Sequence, residues 1–362
     1  MRRHAPCSSA GKIAKIGVTN KARADICADD GEDAMRVSRS IPFVFAAVFL
    51  MAGTATSTAQ TYPARPITMV VPFAAGGTTD AIARILGENL SQTLGQQIVI
   101  ENVGGAGGSV GAARVARAAP DGYTLLLHQP GLAAAQTLYS KLTYDAEKDF
   151  TGIGLINTSA SLIAGSTKVP ANNLAELVKW MKQPDHNAKM AHAGVGAFGH
   201  LCGVLFVQEV GAKADQIPYR GGGPALNDTV AGHADISCLS AAIAAELVKT
   251  GKLKGFGILG KNRFPGLPDV GTTLEAGYAN LDLQFWHALF APAATPRPVI
   301  ERLNTALRQS FGNAKVQDAF VKNGMEAYPA SQQTPEAATA MLKSEIKRWG
   351  DVIRANRIEA TN

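Results

Sequence analysis

The chain has 362 residues, of which 46% are hydrophobic and 18% are charged, a balance typical of a globular protein with a sizeable core. The net charge of +6 falls to +3 without residues 1–59, because these hold 8 of the 35 Lys and Arg and 5 of the 29 Asp and Glu (27 − 24 = +3). This weak basic balance, without Lys or Arg runs, argues against nucleic acid as a partner, and the length is typical of two domains.

The N-terminal segment has the pattern of a secretory signal peptide. Two arginines precede the apolar run Ile41–Gly53, and small residues at 57–59 match a signal-peptidase site. This run is shorter than the roughly 20 residues of a membrane span, so an uncleaved anchor is only the alternative. We expect export to the periplasm with cleavage near Ala59. We also expect Met35 to be the true start, with residues 1–34 as a cytoplasmic extension in the alternative case.

Strands and helices alternate along the rest of the chain. Strands are predicted at PITMVVPF, QQIVIEN and GYTLLLH, and the first helix carries Ile82, Leu86 and Leu90 on one stripe. The same alternation of strands and helices occurs between about residues 162 and 284. Helices are predicted there at AELVKWM and GHLCGVLFVQEV, and strands at AKMAHAG, ADQIPYR and ADISCLS. Such alternation predicts βαβ units and a mostly parallel sheet in each region.

The C-terminal part of the chain is predicted to return to the first region. FWHALFAPAATPRP has the pattern of a strand and a Pro-rich turn, and it reads as a crossover between the regions. The tail from Val299 onward is predicted to be helical, with Ile300, Leu303 and Leu307 on one face.

Four glycine-rich turns separate a predicted strand from a helix: 76–77, 104–111, 194–199 and 221–223. Glycine lets the backbone approach a ligand closely, while the first N–H groups of a helix lack partners and carry partial positive charge. In α/β sheets such turns gather at the carboxyl ends of the strands, where ligands bind. The pattern predicts a cleft lined by main-chain donors for an anion. Simple tight corners are the alternative.

Two of these turns also match enzyme motifs. GVGAFG at 194–199 fits G-x-G-x-x-G, but the acidic residue expected about 20 positions on, Asp215, opens its strand instead of closing it. GGSVG at 107–111 fits the nucleophile elbow, but we expect Ser109 to be a helix N-cap. An NAD(P)-dependent or hydrolytic enzyme is therefore the alternative function. No cofactor is expected, and the histidines show no zinc spacing.

Individual polar side chains near the turns have two interpretations each. Thr78 is predicted to cap its helix, and Asp80 either complements the helix dipole or receives a ligand ammonium or hydroxyl. His200 either donates to a carboxylate or serves as a capping or core histidine. His128, at a strand end, is predicted to face the cleft with Gln129.

Two cysteines remain after the expected cleavage. Cys202 lies in a predicted helix and Cys238 in a predicted strand. An exported pair is able to form one disulfide, and two buried free thiols are the alternative, since neither spacing nor context decides between them.

Seven segments occur in a fixed order between Tyr62 and Ile358: YPARPITMVVPFAAGGTTDAIAR, QQIVIENVGGAGGSVGAARVARAAPDGYTLLL, YDAEKDF, IPYRGGGPALNDTVAGHADI, LPDVGTTLEAG, FWHALFAPAATPRPVIERLN and the region of Trp349. Together they resemble the Bug family, the periplasmic solute receptors of tripartite tricarboxylate transporters. The resemblance implies an α/β, type II periplasmic-binding-protein fold. Its two doubly wound lobes, 60–161 with 286–362 and 162–285, would be joined by crossing strands around a ligand cleft.

The resemblance also implies a binding mode in which two loops hold a carboxylate, mostly through backbone amides and ordered waters. The matching loops are Ala75–Asp80 and Gly194–His200. The candidate ligand-binding residues are Ala75, Gly76, Gly77, Thr78, Thr79, Asp80, His128, Gln129, Gly196, Ala197, Phe198 and His200. The chain departs from the family where Ala197 replaces a common Ser, Arg220 a usual Lys and Cys202 a small residue, which puts ligand preference in doubt.

The function implied is that of a non-catalytic, monomeric receptor. Its ligand would be a di- or tricarboxylate, an aromatic acid or an acidic amino acid. It would deliver this ligand to the membrane subunits of a tripartite transporter. A receptor that presents its ligand to a sensor kinase is a further alternative, which the sequence does not separate from transport.

Overall fold

The structure of the protein, a computed structural model, describes residues 62–359. The predicted signal peptide, its cleavage near Ala59 and the start at Met35 lie outside these residues. Within residues 62–359, each helix is too short or too polar to cross a membrane.

The described residues form eleven strands and ten helices. In chain order these are β1 (Ile67–Val71), α1 (Thr78–Leu94), β2 (Ile98–Asn102), α2 (Ser109–Ala116), β3 (Thr124–His128), α3 (Gly131–Leu138), β4 (Phe150–Ser159), β5 (Ser161–Gly165), α4 (Leu174–Met181), β6 (Ala188–His192), α5 (Phe198–Val210), β7 (Ala214–Pro218), α6 (Gly222–Ala231), β8 (Ile236–Ser240), α7 (Ala241–Lys249), β9 (Lys254–Leu259), β10 (Phe285–Pro292), α8 (Arg297–Phe311), α9 (Ala314–Lys322), β11 (Met325–Ala327) and α10 (Pro335–Ala355).

The strands belong to two sheets. The first sheet has the order β11-β4-β10-β3-β1-β2, and the second has the order β7-β6-β8-β5-β9. The chain leaves the first sheet at Ala160, between β4 and β5, and returns to it at β10. The predicted return of FWHALFAP to the first region is therefore confirmed. Below, the elements of the first sheet with their helices are called the first region, and those of the second sheet the second region.

The prediction of mostly parallel sheets is wrong. Of the nine strand pairings in the described part of the chain, four are parallel and five are antiparallel. The parallel pairs are those joined by βαβ units, which the sequence rhythm detected. The antiparallel pairs all involve β4, β5 or β10, the strands next to the two crossings between sheets, whose direction the alternation of elements does not reveal.

The amphipathic stripe of α1 is confirmed. Ile82, Leu86 and Leu90 are each at most 1% exposed and lie in one core with residues of β1 and α8. Each such burial contributes about 1.5–3 kcal/mol relative to exposure. The helix ends where Gly95 adopts a left-handed conformation with φ of 70°. This packing fixes the N-terminus of α1 at the carboxyl end of β1.

Candidate functional site

The N-termini of α1 and α5 are built in the same way. In α1, the N-cap is Gly77 and the preceding Gly76 has φ of +85°. Its amide donates a hydrogen bond of 3.0 Å to Oδ2 of Asp80. In α5, Gly196 has φ of +81° and its amide donates a hydrogen bond of 3.2 Å to Nδ1 of His200. The side chain of the third helical residue thus fixes the turn that leads into each helix.

The predicted N-cap roles of Thr78 and Ser109 are wrong. Glycines hold both cap positions, and each predicted residue is the first residue of its helix. In α1, the side chain of Asp80 accepts a hydrogen bond from the amide of Gly76, in the turn before the helix. This bond takes the place of a side-chain cap at the start of the helix. The Ser109 hydroxyl instead accepts a hydrogen bond of 3.4 Å from Tyr144.

The carboxylate of Asp80 is buried and held by four donors. Besides Gly76, Arg84 donates to both oxygens at 3.0 and 3.1 Å, and Asn102 donates at 2.9 Å. Burial alone would raise the pKa of Asp80, but these hydrogen bonds outweigh it and hold the pKa below its usual value. Asp80 is therefore an ionised structural group whose oxygens are already engaged within the chain.

Buried histidines support the turns in their neutral form. Burial lowers the pKa of His128 and of His200 to about 4. Nδ1 of His128 accepts the amide of Gln129 at 2.8 Å. The ring of His192 lies 4.7 Å from that of His200, and burial lowers its pKa to about 3. At neutral pH these imidazoles are therefore uncharged hydrogen-bond acceptors.

A cleft lies between the two regions. Its wall consists of Phe73, Gly77, Thr78, Thr79, Asp80, Gln129, Ala193, Phe198, Gly199, Gly222, Cys238, Leu239, Ser240, Ile243 and Phe285. Lys, Arg and His are not represented in this wall. Any negative charge bound there would be met by main-chain amides, hydroxyls and the Gln129 carboxamide. The ionised side chain in this wall, Asp80, has both oxygens engaged by Gly76, Arg84 and Asn102.

Six of the twelve candidate residues lie in this wall, namely Gly77, Thr78, Thr79, Asp80, Gln129 and Phe198. The other six, Ala75, Gly76, His128, Gly196, Ala197 and His200, are outside it. Gly76, Gly196 and His200 form the turns behind the wall. His128 does not face the cleft with Gln129, because its ring packs against Phe73 and Gly108.

Sequence reasoning missed part of the wall. The wall residues that were not predicted as ligand-binding include Phe73, Ala193, Cys238, Leu239, Ser240, Ile243 and Phe285. Ser240 had a usable signal, because it ends the predicted strand ADISCLS and so lies at the same sheet edge as the glycine turns. Phe285 had none, since it reaches the cleft only through the crossing strand β10.

Four helices begin at this wall: α1, α5, α6 and α7. The first amides of α1, α5 and α6 have no partner within their helices, since the first helical bonds begin at Ala81, His200 and Ala225. At α7, the first amide bonds to Ala160, and the hydroxyl of Ser240 lacks a hydrogen-bond partner. The wall therefore concentrates unpaired donors and the positive ends of helix dipoles.

The two regions touch each other along the cleft. The amide of Ala74 donates to the carbonyl of Arg220 at 2.9 Å, and the hydroxyl of Tyr139 donates to the carbonyl of Val195 at 2.6 Å. Gly77 packs against the start of α6, where an added Cβ would lie 3.4 Å from the amide nitrogen of Gly222. These contacts define a closed arrangement of the cleft.

Two α/β regions surround a closed cleft, and helix N-termini with unpaired amides point into it. This arrangement defines a ligand-binding protein. The family described as "Tripartite tricarboxylate transporter family receptor" matches residues 82–358, and the chain belongs to this family. A similar protein is the UPF0065 protein in the TAR-I ttuE-ttuC' intergenic region of Agrobacterium vitis, 38% identical over 85% of this chain and 90% of that protein.

Solved structures extend the similarity to the whole fold. The periplasmic binding protein BugD is 37% identical with a TM-score of 0.80, over 82% of this chain and 99% of BugD. MatC (Rpa3494) from Rhodopseudomonas palustris, solved with bound malate, is 36% identical with a TM-score of 0.78, over 81% of this chain and all of MatC. Rpa4515 of the same organism, solved with adipate, is 29% identical with a TM-score of 0.77, over 82% of this chain and 99% of that protein.

These similarities confirm the resemblance to the Bug family and the α/β periplasmic-binding-protein fold. The family consists of solute-binding receptors, so the alternative of an NAD(P)-dependent or hydrolytic enzyme is set aside. The structure agrees at both motifs. Asp215 lies at the start of β7, where it bonds to Asn187. Ser109 lies in a groove with Val110 and Tyr139, outside the cleft wall.

Proposed function

We propose that this chain binds a small carboxylate in the cleft between its two regions and delivers it to the membrane subunits of a tripartite transporter. The observation that carries the proposal is the convergence of helix N-termini on a wall without Lys, Arg or His side chains. Helix N-termini bind carboxylates through unpaired amides and partial positive charge. Relatives of this chain with bound malate and adipate support the same ligand class.

Closure of the cleft favours an anion for an electrostatic reason. The starts of α1 and α6 come together at Gly77 and Gly222, so two partly positive helix ends face each other. This approach is unfavourable without a compensating negative charge. A bound carboxylate supplies that charge and has higher affinity for the closed arrangement, which shifts the population towards closure.

Within the wall, we propose direct contacts from both regions. The amides of Thr78 and Thr79 would bind the acid from the first region, and those of Phe198 and Gly199 from the second. The Oε1 atom of Gln129 accepts the amide of Gly131, which leaves the Nε2 group of Gln129 as a further donor. Asp80, in the wall, and His200, behind it, would set the turns that orient these amides.

The larger organisation is part of the same proposal. Residues 60–161 with 286–362 and residues 162–285 act as two lobes that open and close around the ligand. The protein works in the periplasm as a monomer after export. Delivery to a transporter is favoured over presentation to a sensor kinase because the family is that of transporter receptors.

Isothermal titration of the purified protein against malate, adipate, an aromatic acid and an acidic amino acid tests the binding proposal. We expect one acid of the panel to bind with 1:1 stoichiometry, while the corresponding amide does not. A folded sample that binds none of them contradicts the proposal. Uptake of the bound acid, lost when the chain is deleted from its host, separates delivery from signalling.

A further inference from the structure

The described residues contain one disulfide, between Cys202 and Cys238, with their Cα atoms 6.2 Å apart. It ties the second turn of α5 to the middle of β8. Cys202 is fully buried and Cys238 is 3% exposed. Of the two alternatives that the sequence left open, the structure therefore has the disulfide and not the two free thiols.

The disulfide lies at the ligand cleft and not in a remote part of the core. Cys238 is itself part of the cleft wall, next to Leu239 and Ser240. The helix that it anchors supplies Phe198 and Gly199 to the same wall. The backbones are also in close contact there, because a Cβ added to Gly199 would lie 2.9 Å from the carbonyl oxygen of Cys238.

We propose that the Cys202–Cys238 disulfide is a positioning element of the ligand site, which holds the N-terminus of α5 against β8 so that its free amides face the ligand. This inference rests on the proposed carboxylate-binding function. A further consequence follows from the wall position of Cys238. Because Cys238 lines the cleft and Cys202 is buried behind it, a bound ligand shields the disulfide from a reducing dithiol.

The chemistry is an ordinary thiol–disulfide exchange with a dithiol as reductant. One thiolate of the dithiol attacks Sγ of Cys238, the S–S bond breaks, and Cys202 leaves as a thiolate that takes up a proton. The second thiolate of the dithiol then attacks the first sulfur of the dithiol, which is bonded to Cys238 in the mixed disulfide. Cys238 leaves as a thiolate and takes up a proton. Two electrons pass to the protein, and the dithiol is oxidised to a disulfide.

Reduction is expected to loosen α5 locally. The covalent tie is lost while the surrounding core is retained, since Leu201 and Phe206 of the same helix are fully buried. Hydrogen bonds weaken steeply with misalignment, so displaced amides bind a carboxylate poorly. We expect the affinity for the ligand to fall at least tenfold on reduction.

The binding test compares oxidised protein, protein reduced with dithiothreitol, and the double variant Cys202→Ala with Cys238→Ala. Malate and adipate are the probes, measured by titration calorimetry. The reduced protein and the double variant should both bind at least tenfold more weakly, and dithiothreitol should not change the double variant further. Equal affinity of the oxidised and reduced proteins overturns the positioning role.

The shielding test measures the rate at which dithiothreitol reduces the disulfide, by alkylation and mass spectrometry, with and without saturating malate or adipate. We expect reduction to be at least tenfold slower with bound acid. An unchanged rate overturns the claim that access runs through the cleft.

Hydrogen exchange makes the positioning role testable even if neither acid binds. On reduction, the amides of Leu201, Cys202 and Gly203 should exchange at least tenfold faster, while those of α8 stay unchanged. Unchanged exchange in α5 overturns the inference, and so does faster exchange throughout the chain, which would make the disulfide a global stabiliser. Failure of both acids to bind the oxidised protein, with this local response intact, counts against the proposed function alone.

Discussion

Asp80 and His200 occupy equivalent positions in two different helices. Each is the third residue of its helix, and each accepts a hydrogen bond from the amide of the glycine four residues earlier, Gly76 or Gly196. Both glycines have φ above +80°, a conformation that other residues rarely adopt. An ionised carboxylate and a neutral imidazole thus perform the same task on opposite sides of the cleft.

Gly107 lies where the two regions meet, and the contact leaves no room for a side chain in the closed cleft. Gly107 has φ of +60°, and an added Cβ would overlap the carbonyl oxygen of Val195 in the second region. We expect Gly107→Ala to block closure and to lower the affinity for malate, measured by calorimetry, at least tenfold. Gly95→Ala is the control, because Gly95 has φ of +70° with open space around its Cβ position. Both variants should lose about 1–2 kcal/mol of stability, and equal ligand affinities would contradict the expectation.

The hydroxyl of Tyr139 connects the two regions in the closed arrangement. Its hydrogen bond to Val195 is expected to stabilise the closed arrangement by about 0.5–1.5 kcal/mol. Tyr139→Phe should therefore weaken ligand binding about two- to tenfold, mainly through faster dissociation in stopped-flow experiments. Tyr144→Phe is the matched control, since the hydroxyl of Tyr144 bonds within the first region to Ser109. Equal dissociation rates in the two variants would rule out a role in closure.

The contribution of Asp80 to the stability of the fold should depend on its charge as well as on its shape. Asp80→Asn places an NH₂ group among donors, so we expect the free energy of unfolding to fall by about 1.5–3 kcal/mol at pH 7. Because the folded pKa is lowered, the contribution is present above the unfolded pKa, near 3.9, and is lost as the pH falls through the folded pKa. Urea unfolding at pH 7 and pH 3 measures both effects. Asp351→Asn, on the exposed face of α10, should be neutral, and a similar loss there would contradict this assignment.

The buried histidines predict a loss of stability in mild acid. Burial lowers the pKa of His128 and His200 to about 4 and of His192 and His287 to about 3. In the unfolded chain a histidine titrates near 6.5, so stability is full above that pH and falls between about pH 6.5 and 4. Each histidine should contribute about 1.4 kcal/mol per pH unit in this window.

Urea unfolding at pH 7.0, 5.5 and 4.5 measures that slope. In the variant His287→Asn, the free energy of unfolding should fall less steeply with decreasing pH. The difference should be about the 1.4 kcal/mol per pH unit that one histidine contributes. A free energy of unfolding that stays constant from pH 7.0 to 4.5 would contradict this expectation, because it would show that these imidazoles take up protons as readily in the folded protein as in the unfolded chain.

Local pattern predicted much of this fold because the signals are themselves local. The stripe of Ile82, Leu86 and Leu90 and the glycine turns before α1 and α5 follow from helix periodicity and backbone conformation. The N-cap assignments of Thr78 and Ser109 failed because side-chain capping competes with the back-bonding of Asp80 and with the hydroxyl of Tyr144.

Long-range features had no such local signal. The wall position of Phe285 depends on a strand that crosses between sheets, and the direction of that strand is set by tertiary pairing with β4 and β3. The bond between Cys202 and Cys238 depends on a Cα distance across α5 and β8, which a separation of 36 residues does not give. The fold was therefore predictable in its elements, and the site in its helix ends but not in its apolar wall.

Main-chain amides from both regions are expected to bind the acid group of the ligand. A crystal structure of the protein with bound malate would reveal these contacts. We predict carboxylate oxygens within about 3 Å of the amide nitrogens of Thr78 or Thr79 and of Phe198 or Gly199, a distance typical of such hydrogen bonds. A carboxylate bound by Lys or Arg side chains outside this wall would rule out binding by main-chain amides.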